Sequence, residues 1–324
     1  MNNPIVYTHY VGIDVSKKHL DVACPSLGIG KFKVPNTPQG FEKLLEKLAD
    51  RHPQFLQKHE VCFVCEQTGG YEKPLRKTLQ ARGLDCALPN PASVRNFAKS
   101  CGAHAKTDPV DAKVLSQLGE KLHPRTAWPI DATEEKLQEL VRQRADFQAQ
   151  LRAESNRLEH LEDRELRQLV KRHIKSLEGY LAKIETLIKE TLAQKSPLQR
   201  KVDCLCQIPG VGWISAVCLI AELPELGHLS RKAITALAGL APFNHDSGQY
   251  HGRRFIRGGR TSARKALYMP SLVAIQYNPV LKAFYQRLVN QSGKPSKVAL
   301  TAVMKKLLIY CNSLIHNIEY PAAS

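Results

Sequence analysis

Between residues 10 and 130, short apolar runs alternate with stripes of helical spacing. Tyr10-Val11-Gly12-Ile13-Asp14-Val15 reads as a strand, Lys17-Lys18 as a turn, and residues 19–23 as the returning mate of a hairpin. Residues 32–34 are a candidate third strand. Apolar positions 41, 44, 45 and 48 lie on one helical face. Val61-Cys62-Phe63-Val64-Cys65 is apolar throughout, as a buried strand is. Residues 73–82 have helical spacing, residues 84–88 make another strand, and helices are expected over 92–99 and 109–122. A hairpin-led sheet followed by alternating helices and strands is an α/β domain.

Residues 133–195 contain no Pro and only Gly179. Leu137, Leu140, Phe147, Leu151, Leu158 and Leu161 fit an apolar seam, which Val170, Ile174, Leu177, Leu181, Ile184 and Ile188 continue after a slip of phase. Two long helices of coiled-coil character are expected, folding back as a hairpin or pairing between chains, and ending before Pro197. Residues 200–320 read as short helices joined by Gly-rich turns, with an amphipathic helix over 297–314 carrying Lys305-Lys306. The expected domains are 8–130, 131–198 and 199–320.

Charge narrows the partners. Lys and Arg number 47 against 30 Asp and Glu, giving +17. Residues 200–324 hold 16 of those bases and only 5 of the acids. So basic a chain suits an acidic polymer, and its C-terminal part is where backbone phosphates are expected. Nine cysteines without framework spacing suggest reduced thiols and a cytoplasmic protein. Cys62-x-x-Cys65 lies in a strand, and with only Cys204-x-Cys206 as a second pair, buried thiols explain it better than zinc. Met1-Asn2-Asn3-Pro4 lacks a signal pattern, and the uncharged run 204–221 is broken by Gln207, Pro209, Gly210 and Gly212. No membrane association is expected.

Four acids come from three segments. Asp14 is near the end of the first strand, Glu66 directly follows the strand 61–65, and Asp108 and Asp111 share one face of a helix start. Gathered together, they would need a cation, and hard oxygen ligands suit Mg²⁺. Asp108 with Pro109 and Asp111 equally makes a well-capped helix start without chemistry. Asp21, on the hairpin mate, is the rival ligand and ranks below Asp14.

Leu205-x-x-Ile208-Pro209-Gly210-Val211-Gly212-x-x-x-Ala216 is similar to a helix-hairpin-helix, in which Gly210 and Gly212 let backbone N–H groups meet a phosphate. A tight turn between packed helices is the alternative. Further on, Ser247-Gly248 sits in a turn. Arg253, Arg254, Arg257, Arg260, Arg264 and Lys265 follow with no acid between. Guanidinium groups beside a small hydroxyl would stabilise a phosphorane. A loop serine is more commonly a turn former, and Tyr250 and His251 compete as nucleophiles.

Taken together, Gly12-Ile13-Asp14-Val15-Ser16-Lys17, Glu66-x-Thr68-Gly69-Gly70-Tyr71 and Ala105-Lys106-Thr107-Asp108-x-x-Asp111-Ala112 resemble the RuvC-like N-terminal domain of a group of bacterial insertion-sequence transposases, the bridge-RNA-guided recombinases. Ile208-Pro209-Gly210-Val211-Gly212, Pro242-x-x-x-x-Ser247-Gly248 and Gly258-Gly259-Arg260 resemble its C-terminal transposase domain. The resemblance implies an RNase H-like fold over about 8–130, with Asp14, Glu66, Asp108 and Asp111 binding two Mg²⁺ ions. It implies Ser247 as the nucleophile of a 5′-phosphoserine link to DNA. It also implies a structured guide RNA and a dimer or tetramer, whose active sites join one protomer's carboxylates to another's serine. A junction-resolvase-type endonuclease and a non-catalytic DNA-binding protein are the alternatives.

Overall fold

The computed structural model describes residues 5–54, 60–102, 112–243 and 254–320. The chain divides into two compact units, Met1–Pro129 and Ile130–Ser324.

In the first unit the hairpin-led pattern folds as expected. Strands β1 (His9–Val15), β2 (His19–Cys24) and β3 (Ile29–Pro35) form an antiparallel meander. Helix α1 (Pro38–Ala49) leads on to β4 (Val61–Cys65), and α2 (Lys73–Ala81) leads to β5 (Asp85–Ala87). Helices α3 (Pro91–Ser100) and α4 (Ala112–Leu122) complete the unit. The sheet order is β3-β2-β1-β4-β5, with β4 parallel to both β1 and β5. This mixed sheet with its helices is consistent with an RNase H-like domain. Helix starts carry the expected chemistry: the Thr37 side chain accepts from the Gly40 N–H, and Asn90 Oδ1 accepts from the Ala92 N–H, each just ahead of a proline.

Strand alternation sorts the two faces. Val11, Ile13 and Val15 of β1, Leu20 and Val22 of β2, and Phe63 and Cys65 of β4 pack with Phe41, Leu44, Leu48, Leu75 and Leu79. The opposite face carries Tyr10, Cys62 and Val64 against Leu115 and Leu118 of α4. Cys62 and Cys65 therefore lie on opposite faces and cannot form one chelating pair. All nine cysteines are free thiols.

Helix α4 sits directly on the middle of β1. The Ser116 hydroxyl donates to the Tyr10 carbonyl (2.6 Å), and Tyr10 Oη meets His123 Nδ1 (2.7 Å). A side chain at Gly12 would place its Cβ 1.8 Å from the Ala112 carbonyl oxygen. Only a residue without a Cβ lets the start of α4 come this close.

Among its described residues, the second unit is helical apart from a small ladder. It comprises α5 (Ala132–His160), α6 (Arg164–Ala193), α7 (Ser196–Cys206), α8 (Trp213–Glu222) and α9 (Arg231–Leu237). Strands β6 (Pro242–Phe243) and β7 (Phe255–Ile256) are followed by α10 (Thr261–Tyr277), α11 (Pro279–Gln286) and α12 (Ser296–Glu319). The long helices α5 and α6 fold back on each other within the chain. Arg144 pairs with Glu185 (2.8 Å), the Phe147 and Tyr180 rings stand 5.4 Å apart, and Arg167 at the turn donates to the Leu158 and Leu161 carbonyls. At the base, Lys195 bridges Asp131 (2.6 Å) and Glu134 (3.0 Å), the two members of the α5 capping box. Leu137, Val141, Ile184 and Ile188 enter one core with α7, α8, α10 and α12, so the seam is half hairpin and half domain core. Helix α12 is long and apolar enough to cross a membrane by length and composition. Its Val303, Leu307, Leu308, Cys311 and Ile315 are buried in that same core.

Substituting Gly12→Ala should force α4 off β1. Overpacking against a rigid backbone costs about 1–3 kcal/mol or more. Urea denaturation followed by circular dichroism should show a lowered midpoint, and an unchanged midpoint would mean that α4 does not pack this closely.

Candidate functional site

Three acids line up across the sheet. The parallel ladder pairs Val11 with Phe63, Gly12 with Val64 and Ile13 with Cys65. Continuing it by one residue sets Asp14 beside Glu66, on adjacent strands roughly 4.8 Å apart. In the antiparallel ladder Asp14 is directly opposite Asp21. Opposed residues share a face, so Asp21, the rival ligand on the hairpin mate, points the same way as Asp14. That face is the one covered by α4. The site thus lies at the carboxyl ends of two parallel strands, where open α/β sheets bind ligands.

The two ends of this acidic row differ. Asp21 is cross-strand from Lys33, and its carboxylate lies 3.7 Å from Lys33 Nζ and 3.9 Å from Lys31 Nζ. Its charge is already partly met. Glu66 is pushed above the usual glutamate range, first by burial and then by the charge of Asp14, while Arg95 on α3 pulls it back. Arg95 was not visible as a site residue from sequence, because nothing local marks a helix-surface arginine as facing a carboxylate in a distant segment.

Asp108 and Asp111 lie outside the described residues, as do Ser247 and Arg253. Among the described residues no group of three or more His, Cys, Asp or Glu is arranged to hold a metal ion. Asp14 and Glu66 nevertheless fit a hard cation. They offer oxygen donors only, and after burial the charge of Asp14 helps to raise Glu66 even with Arg95 acting against it.

In the second unit, Ile208–Gly212 form the turn between α7 and α8. Gly210 has φ +101°, and a Cβ there would lie 2.8 Å from the Pro270 carbonyl and the Ala274 N–H of α10. Its bare side therefore faces protein, as the packed-turn alternative requires. Gly212 is exposed and is the N-cap of α8.

The six expected phosphate-binding cations divide in the same way. Arg260 is committed inward: its guanidinium pairs bidentately with Glu225 (2.6 and 2.7 Å) and donates to the Glu222 carbonyl (2.8 Å). Glu225 is 7% exposed. Arg264 donates to the Gly258 (2.9 Å) and Gly239 (3.3 Å) carbonyls. For these two, the structure shows internal contacts at the guanidinium. Gly259 likewise serves backbone packing, since a Cβ on it would lie 2.1 Å from the Gly239 nitrogen. Arg254, Arg257 and Lys265 are exposed. Arg257 lies over the Phe243 ring, 4.8 Å from its centroid. The β6–β7 ladder, pairing Phe243 with Phe255, ties together the two ends of the segment that contains Ser247.

These roles separate by stability. Arg260→Gln leaves the buried Glu225 carboxylate unpaired and should cost about 2–4 kcal/mol in chemical denaturation. Arg254→Gln and Arg257→Gln should stay within about 0.5 kcal/mol of wild type. Glu66→Gln without divalent metal should hold or raise the melting temperature at pH 7. The sign follows from Glu66 binding its proton more tightly folded than unfolded: its ionisation weakens the fold as pH rises past the ordinary glutamate value. A clear fall in melting temperature would remove the carboxylate crowding.

Residues 11–165 match a family model described as a transposase, that of the DEDD transposases of the IS110 type. Residues 202–286 match the model described as transposase IS116/IS110/IS902 family. The chain is also similar to the pilin gene-inverting proteins of Moraxella bovis and Moraxella lacunata. Each is 28% identical over 311 residues, spanning 94% of this chain and 95% of the relative. With two models of one family met in order along its length, the chain belongs to the IS110 family of transposases and is a DNA recombinase.

Proposed function

We propose that this recombinase cuts and rejoins DNA with two sets of groups, the carboxylates Asp14, Glu66, Asp108 and Asp111 and the hydroxyl of Ser247. The observation that carries the reading is the side-by-side placement of Asp14 and Glu66 at the α4-covered end of the sheet. Chain connectivity supports the other two acids. Ala112 packs on Gly12, two residues before Asp14, and Asp111 is covalently joined to Ala112. Two bound Mg²⁺ ions would stabilise the attacking and leaving oxygens of a phosphodiester. The carboxylates would hold that charge in place, and the sheet and helix that carry them would keep their donors oriented.

Ser247 Oγ would attack phosphorus and release the 3′-oxygen as a hydroxyl, leaving a 5′-phosphoserine. Attack by another 3′-hydroxyl would reverse the step and regenerate the serine. A strand can change partners this way without an outside energy source, which hydrolysis would not allow. The names of the Moraxella relatives describe inversion of a gene, which requires rejoining as well as cutting. Gly212 at the α8 start and the exposed Arg254, Arg257 and Lys265 would contact phosphates. A structured guide RNA would be a second nucleic-acid partner, and the exposed Leu166 and Leu169 on α6 suit self-association to a dimer or tetramer.

Asp14→Asn, Glu66→Gln, Asp108→Asn and Asp111→Asn should each abolish Mg²⁺-dependent cleavage while the protein stays folded. If Asp108→Asn cuts normally, Asp108 is only a helix cap. Wild type should form a DNA adduct that survives denaturing electrophoresis, and Ser247→Ala should lose the adduct but keep DNA binding. Mass spectrometry that finds the nucleotide on Tyr250, or free 5′-phosphate ends with no adduct, would reject the serine and favour a resolvase-like nuclease. Changing Arg254, Arg257 and Lys265 together to Gln should reduce the slope of log affinity against log salt by about 0.9 for each phosphate no longer neutralised.

A further inference from the structure

The loop that follows Glu66 carries an exposed tyrosine on an unusually well-tied backbone. Gly69 and Gly70 have φ +73° and +124°, conformations that L side chains rarely adopt. Glu72 Oε2 accepts from the Thr68 N–H (3.2 Å), the Thr68 hydroxyl (3.0 Å) and the Gly70 N–H (3.0 Å). Burial alone would raise the Glu72 carboxyl, but its own backbone N–H together with these bonds holds it below the usual glutamate range. Lys73 N–H closes the turn on the Gly70 carbonyl (3.1 Å). Tyr71 sits inside this closed ring of bonds and is 46% exposed.

A second tie joins the loop to the acidic end of the sheet. Asn36 Nδ2 donates to the Tyr71 carbonyl (3.1 Å) and to the Ser16 carbonyl (3.0 Å). Ser16 is two residues past Asp14, and its hydroxyl exchanges bonds with the His19 backbone across the hairpin turn. Tyr71 is therefore held beside the β1–β2 turn that carries the exposed Lys17 and Lys18. A half-exposed ring on a backbone fixed by this network of hydrogen bonds is a rigid platform. Two lysines stand on the neighbouring turn, where a phosphate chain could follow them.

We propose that Tyr71 is a stacking site for one unpaired nucleobase, next to the phosphate that reaches Asp14 and Glu66, with Lys17 and Lys18 on the flanking backbone. This rests on the carboxylate reading above. Base–aromatic stacking needs only a π-face, so the site accepts any base but requires it to be out of the duplex. A cutting site that reads an unstacked base favours strands opened by an exchange partner over intact duplex.

The full-length protein is tested with a single-stranded oligodeoxynucleotide carrying 2-aminopurine at successive positions, in EDTA so that no cleavage occurs. Stacking on Tyr71 should quench one position, and 5-iododeoxyuridine placed there should photo-cross-link to Tyr71. Tyr71→Leu, which keeps apolar bulk without a ring, should lose that quench and weaken binding at that position about fivefold or more. Tyr71→Phe and Tyr71→Trp should keep both. A quench unchanged in Tyr71→Leu overturns the proposal, as does loss in Tyr71→Phe equal to that in Tyr71→Leu. Cleavage by Asp14→Asn, measured separately in Mg²⁺ with Tyr71 in place, reports on the carboxylates alone. Failure of stacking with Asp14-dependent cleavage intact therefore rejects the platform and leaves the carboxylate site standing.

Discussion

The parallel pairing of β1 with β4 is the constraint on which the acidic row of the first unit depends. Its register sets Asp14 next to Glu66 and forces two like charges together in a half-buried place. A one-residue slip would turn Asp14 towards Leu44 and Leu48, because side chains alternate faces along a strand. The register is protected by the apolar set on the other face, where the same slip would pull Val11, Ile13 and Val15 out of their packing with α1 and α2. Core packing thus maintains an arrangement that electrostatics alone would push apart. Gly12 adds the second restraint by letting α4 begin close to Asp14.

The second unit uses a different device where α9 meets the start of α10. Two glycines in left-handed conformations, Gly239 and Gly259, bring two backbone turns into contact, and Arg264 donates to the carbonyls this leaves. Arg260 is drawn down onto Glu225 at the start of α10. The arginines at the start of α10 therefore build the scaffold, while Arg254, Arg257 and Lys265 keep their charge at the surface. The arginine-rich stretch is therefore not one surface but two layers, one bonded to protein groups and one exposed.

Much of the architecture was legible because periodicity reports which side of an element is buried. The hairpin at 10–23, the apolar strand 61–65, the helix stripe at 41–48 and the two long helices all follow from that rule. The α5–α6 pairing was legible only as a choice, since a heptad seam satisfies a partner in the same chain as well as one in another. Asp14 and Glu66 were legible as strand-end acids, and family motifs singled them out together with Asp108, Asp111 and Ser247. Arg95, the Asp14–Asp21 facing and the inward turn of Arg260 were not. Each depends on register or on contact between residues far apart in the chain, to which local pattern is blind.

By itself the sequence determined the element types, the acidic residues at strand ends, the basic C-terminal part and, through its motifs, the family. Those are properties of composition and short-range order, carried by a few residues at a time. Only the tertiary structure decided which acids stand side by side, which arginines are spent on Glu225 and backbone carbonyls, and which glycines exist to let backbones touch. The physical reason is that charge and hydrogen-bond partners are chosen by distance in space. Local pattern fixes the direction a side chain leaves its own element, whereas packing fixes what it meets.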